Sequence, residues 1–290
     1  MLTYTNQIDN YKDFTKNSST DNTTRGTTLI NEGIRKICRL TAWKFLEGSK
    51  DITLVDGTQF YDVAFDFGSL IDTYTTVGTQ RYVPKKCPDR KTWDLINEST
   101  SYKATYPEWY FQFGGKIGFS PIPSTANTAT INYKKRIRDI GTADYTTGTI
   151  SVANDDATVT GSGTTFTASM VGRWIKMPNG DWYEIGSFTS TTSIELVNSY
   201  DGADASGQSY TIGEVSVLPE GYQLLPILWA ARVYWYGIGN NSNKAIDYDN
   251  QFKEGLSEML KEYSDNDTSP VLDEGLYEIT YPNPNLFVTL

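Results

Sequence analysis

The chain has 290 residues, of which 21% are charged and 38% hydrophobic, the composition of a folded protein of one or two domains rather than a disordered one. It contains no histidine, which excludes Ser-His-Asp and Cys-His nucleophile systems and every His-containing metal site. A formal net charge of −10 argues against general nucleic-acid binding, whose main affinity comes from phosphate attraction.

That charge is unevenly spread. Residues 1–142 hold 19 Lys+Arg and 15 Asp+Glu, and residues 143–213 hold 2 and 8. Residues 214–264 hold 4 and 7, and residues 265–290 hold 0 and 5, so the parts face different surroundings. The opening MLTYTNQIDNYKD has no basic region followed by an apolar core, and no run approaches the roughly 18 apolar residues of a membrane span. Neither secretion nor membrane insertion is expected. Cys38 and Cys87 do not make a disulfide framework. Cys38 falls among apolar residues at helical spacing and reads as a buried thiol in a reducing cytoplasm.

In chain order, Ile8, Tyr11 and Phe14 line a short first helix. A Thr-rich run, NSSTDNTTRGTT, follows as a polar connection. The spacing of Ile30, Ile34, Ile37 and Cys38 predicts a long helix capped by Thr27 or Thr28, extended through Trp43 and Phe45 and stopped at Gly48. From 50 to 140 the texture is strands and turns. Asp56-Gly57 precedes a strand at Gln59–Val63, and Trp109–Phe113, Gly114-Gly115 and Lys116–Phe119 read as a hairpin. Pro121 and Pro123 break the chain before Ala129–Tyr133, which leads into the basic run Lys134, Lys135, Arg136 and Arg138.

Residues 143–213 read as an inserted β-sandwich or barrel. Six short apolar alternations occur, at Ile150/Val152, Ala157/Val159, Ile175/Met177, Tyr183/Ile185, Ile194/Leu196 and Tyr210/Ile212. Asn179-Gly180 is a strong hairpin signal between two of them. Helix returns after Pro219, with Leu224, Leu225, Leu228, Ala231 and Trp235 on one stripe. A turn at 237–242 leads to a second helix ending near Tyr263, and the two are expected to pack antiparallel. The fold class is therefore α+β: a body of residues 1–142 plus 214–264, a helical bundle with antiparallel strands, interrupted by the all-β insert at 143–213. A tail, 265–290, follows. Ile34, Ile37, Leu225, Leu228, Phe252 and Leu256 are the expected core.

No catalytic or cofactor chemistry emerges. There is no GxxxxGK[ST] loop, and Gly161-Ser162-Gly163 lacks the third glycine and helix of a dinucleotide site. Asp155-Asp156 and Asp265/Asp267 sit in turn or tail sequence, without the spacing of a calcium loop. No metal site, cofactor or catalytic residue is expected. The basic run at Lys134, Lys135, Arg136 and Arg138 has two readings: the exposed end of a strand, or an electrostatic contact with an acidic partner or passing DNA. In the tail, Tyr277, Ile279 and Tyr281 alternate, and Leu286, Phe287 and Leu290 form a second apolar cluster beyond two prolines. These residues are candidates for docking on a larger partner or a neighbouring copy by strand addition. The alternative is that the tail folds back onto its own body.

Several segments together carry a family likeness. The helix ending in AWKFL, then DGTQFYDV, then YPEWYFQFGGKIGFSPIPSTANTATINYKKRIRDI, resembles the neck adaptors that sit under the portal of tailed bacteriophages. GTISVANDDATVTGSGTTFTASMVGRWIKM resembles a β domain inserted in some of them, and LPEGYQLLPILWAARVYWYG resembles their closing helices. Val83-Pro84 departs from the more usual Leu-Pro. The resemblance implies a non-enzymatic structural protein of the virion neck, assembled in the host cytoplasm as a homo-oligomeric ring, commonly of twelve. It implies portal protein and downstream tail or neck proteins as partners, and DNA passing through the channel without specific binding. The competing classes are a tail or receptor-binding structural protein, which would more often carry fibre-like repeats, and a carbohydrate-active enzyme, which would need paired acids in a cleft.

Overall fold

The structure, a computed structural model, describes residues 1–98 and 102–264. Helices and mostly antiparallel sheets share the chain, so the α+β class holds. Three separate apolar cores organise it.

The first core is a helical bundle. Helix α1 (Tyr4–Thr15) starts at Thr3, whose side chain accepts from the Asn6 amide while the Asn6 side chain accepts from Thr3 in return. Helix α2 spans Thr20–Arg39 with Ser19 as its cap. The sequence expectation of a start at Thr27 or Thr28 is corrected here, and the physical reason is local. Thr23, Thr24, Thr27 and Thr28 each donate their hydroxyl to the carbonyl four residues earlier. The threonines thereby bond within the helix instead of breaking it. At the other end, the expected run to Gly48 stops at Arg39. Trp43 lies beyond the helix, buried, with its indole N–H donating to the Ile37 carbonyl. Gly48 is instead a strand residue, tight against the Tyr133 ring.

The second core lies between two four-stranded sheets that follow in sequence. Their elements are β1 (Glu47–Thr53), β2 (Phe60–Asp62), β3 (Phe67–Val77), β4 (Gln80–Tyr82), β5 (Lys85–Lys86), α3 (Arg90–Ile96), β6 (Lys103–Ala104), β7 (Trp109–Phe113), β8 (Lys116–Ser120), β9 (Ile122–Pro123) and β10 (Thr128–Lys135). One sheet has the order β1-β10-β3-β4 and the other β2-β8-β7-β5, while β6 and β9 form a short parallel pair. The glycine hairpin forms as expected between β7 and β8. Ile117 and Phe119 point inward with Tyr61 to meet Ile52, Ala129 and Ile131 of the other sheet. Gly118 faces outward, where a Cβ would lie 2.5 Å from Phe60 and 3.0 Å from Trp93, so only glycine lets α3 seat Trp93 on that face. The long strand β3 and helix α3 have no counterpart in the sequence reading.

The third core belongs to a seven-stranded sheet: β11 (Thr149–Val152), β12 (Thr158–Ser162), β13 (Trp174–Lys176), β14 (Trp182–Ser190), β15 (Ser193–Leu196), β16 (Ala205–Gln208) and β17 (Thr211–Gly213). The order is β16-β11-β12-β15-β14-β13-β17. Its two end strands are joined by only two residues, so the sheet rolls almost shut around Phe166, Ile175, Ile185 and Ile194. Six strands were expected; the extra one, β16, is polar and exposed along most of its length. The Asn179-Gly180 hairpin joins β13 to β14.

Helices α4 (Leu225–Tyr236) and α5 (Ser242–Tyr263) close the bundle. Trp229 meets Phe252 and Arg232 pairs with Asp249, an order that reverses along the two helices and makes them antiparallel. Ile34, Ile37, Leu225, Leu228, Phe252 and Leu256 are all buried, as expected. Cys38 is buried among them, and burial pushes its thiol up to about 12.

Candidate docking surface

The chain enters and leaves the seven-stranded sheet at one place. Tyr145 and Ile212 exchange two backbone hydrogen bonds of 2.8 Å. Asn31 of α2 holds the incoming strand, its amide donating to the Ile140 carbonyl at 2.7 Å and its oxygen accepting from the Ile140 amide at 2.9 Å. Glu214 on the outgoing strand accepts from the Gly141 and Thr142 amides and pairs with largely buried Arg173. Tyr4 donates its amide to the Glu214 carbonyl at 2.7 Å.

The basic run sits beside this crossing. Lys134 and Lys135 end β10, while Arg136 and Arg138 continue past it. Lys135, Arg136 and Arg138 line a cavity of about 260 Å³ with Asp66, Glu184 and Ser216. Burial raises the Glu184 carboxyl above the usual glutamate range, while Lys135 and Arg138 pull it back down. Arg138 also donates to the Val171 carbonyl at 3.4 Å. Two of the four cations thus end a strand and two lie past it, and three of the four share a pocket with carboxylates of the same chain.

The larger signal is where apolar surface is left open. Of fourteen large apolar side chains exposed among the described residues, eight lie within the two-sheet unit, 47–135, and one, Val197, within the seven-stranded unit. Val83 is the most open, at 75% exposure. It links β4, the edge of one sheet, to β5, the edge of the other. Around it Tyr82 stacks on Tyr106 at 4.0 Å between ring centres, and Arg81 lies over Tyr74 at 4.5 Å. Nearby Lys85 lies over Trp109 and Arg90 over Phe113. Aromatic area with a cationic rim is the make-up of a protein contact surface. Sequence reasoning missed it, because exposure of Val83 and Tyr106 depends on which sheet edge is left unpaired.

The tail candidates Tyr277, Ile279, Tyr281, Leu286, Phe287 and Leu290 lie outside the described residues, as do Asp265 and Asp267. Asp155 and Asp156 occupy an exposed turn, with Asp155 at φ 63°. Among the described residues no cluster of three acidic or cysteine side chains is arranged to hold a metal, and no helix is long and apolar enough to cross a membrane.

The sequence model of the SU10 adaptor protein family matches residues 3–162, more than half of the chain. The chain belongs to that family. It is a phage structural adaptor of the head-to-tail kind and a virion component. No curated protein matches the adaptor significantly. The matched stretch of the adaptor takes in α1, α2, both four-stranded sheets and the first two strands of the seven-stranded sheet, and ends at Ser162.

Proposed function

We propose that the adaptor is one subunit of a closed homo-oligomeric ring, twelve-membered as is common in proteins of this kind, that joins the portal to the tail and continues the DNA channel. The observation that carries this reading is the family match, and the concentration of exposed apolar side chains in the two-sheet unit supports it. A ring is built from heterologous contacts that close, and each subunit needs an open surface complementary to another part of its neighbour. The net charge of −10 suits a lumen that repels phosphate and lets DNA pass.

Within this reading the seven-stranded unit is an inserted domain standing away from the ring body. Its own core and the paired crossing at Tyr145 and Ile212 support that role, since insertion is tolerated where the two ends lie together. Residues Tyr277, Ile279, Tyr281, Leu286, Phe287 and Leu290 form the docking tail for the portal or a neighbour. Lys134, together with Lys135, Arg136 and Arg138, serves as a minor electrostatic contact. The test is to mix purified adaptor with portal complexes and image the product. A closed ring seated under the portal is expected, and the same protein truncated after Ser264 should lose it. Adaptor that remains monomeric and unbound beside intact portal would refute the reading.

A further inference from the structure

We propose that the β4–β5 edge, residues 80–86, is the acceptor for the C-terminal segment of a second copy of this chain, taking Tyr277, Ile279 and Tyr281. This rests on the ring reading above and names the surface that the tail uses.

Four observations converge on this edge. The first is open backbone. Strand β4 pairs only with β3 and β5 only with β7, so among the described residues each has an unpaired outer side, the two joined through Val83 and Pro84, the proline offering no amide donor. An edge of this kind is a template for an added strand. The second is apolar surface. Val83 stands out from this edge with the Tyr82–Tyr106 stack beside it, surface that stays wet unless a partner covers it. The third is charge. Residues 81–91 carry five bases and one acid, whereas residues 265–290 carry five acids and no base. The tail sequence Tyr277-Glu278-Ile279-Thr280-Tyr281 places its three apolar side chains on one side of an extended strand.

The fourth observation selects a second copy. Ser264, where the tail begins, bridges Trp43 just ahead of β1. Strands β1 and β4 are the opposite edges of one four-stranded sheet, and the register sets β4 level with Thr53, the end of β1 remote from Trp43, so tail root and acceptor lie at opposite corners of the sheet. Donor on one flank and acceptor on the other is the layout of a head-to-tail contact that closes into a ring. Duplex DNA is the poorer occupant, because a phosphate backbone makes no use of Val83 or of an unpaired strand edge.

The experiment is disulfide trapping between full-length chains. One carries Val83→Cys and the other Ile279→Cys; both native cysteines are buried and give little background. Docking concentrates the pair, so the covalent dimer should form at least about tenfold faster than with Val197→Cys as the acceptor. High salt should slow it, and Lys85→Glu with Lys86→Glu should abolish the advantage. Equal trapping at Val197→Cys overturns the proposal. So does an intramolecular bond, without dimer, in a diluted V83C/I279C double variant, which would mean the tail folds back. Short duplex DNA binding that is lost in K85E/K86E, with no dimer trapped, reassigns the face to nucleic acid. If truncation after Ser264 abolishes portal binding while V83C and I279C do not trap, the tail's portal role survives and this acceptor falls.

Discussion

Two β units of this chain solve the same problem in opposite ways. The seven-stranded unit rolls up until its end strands meet in sequence, and it leaves a single large apolar side chain, Val197, exposed. The two-sheet unit packs a comparable core yet keeps its edges and eight large apolar side chains open. Rolling nearly shut leaves β16 as a short, polar end strand, while an open edge keeps a surface that only a partner completes. The difference is one of exposed apolar surface, little on the rolled unit and much on the two-sheet unit.

The most drastic way to break that contrast is to delete the closed unit. Replacing residues 146–211 with a short Gly/Ser linker between Tyr145 and Ile212 should leave the helical circular dichroism signal intact. Loss of that signal would mean the bundle depends on the unit. Core truncations come next. Trp93→Ala and Phe166→Ala each remove a buried aromatic and should cost about 3–5 kcal/mol in chemical denaturation. Independent units predict that each variant shifts a different transition. A single transition moved equally by both would merge the two units into one cooperative block.

A smaller effect comes from Glu184, at the seam between the units. Burial raises its carboxyl, so the folded state keeps a proton over a pH range where the unfolded chain has released it. The stability contributed at this position therefore falls as pH rises through that range. Glu184→Gln should melt at or above the natural protein near pH 7, with the gap closing as pH falls toward the ordinary glutamate value of 4.5. A lower melting temperature at pH 7 would show that attraction from Lys135 and Arg138 outweighs burial. The smallest expected change in stability is at the open edge. Val83→Ser should alter the unfolding free energy by no more than about 0.5 kcal/mol while weakening subunit association in sedimentation. A large destabilisation would mean that Val83 already has a partner within its own chain.

The closed unit was largely legible from sequence, because its strands alternate cleanly and its turn carries Asn179-Gly180 at the needed left-handed position. The bundle core was equally legible at Ile34, Ile37, Leu225 and Leu228, where a 3.6-residue period is strong. What failed had local causes. Threonines that bond back along α2 look like a linker when judged by composition alone. Strand β3 has no clean alternation, since it crosses from exposed to buried along its length. The cationic and aromatic edge was hidden because no local pattern tells which strand will lack a neighbour; that is decided by β10 pairing both β1 and β3, far apart in sequence.

The paired crossing at Tyr145 and Ile212 also has a mechanical meaning. A tug on any loop of the rolled sheet reaches the rest of the molecule through two strands loaded side by side, not one after the other. Asn31 grips one strand at Ile140 and Tyr4 grips the other at Glu214, so the load divides between α2 and the start of α1. Peeling would require all of these bonds to fail together. The rolled sheet is therefore a handle: force applied to it is delivered to the first two helices together.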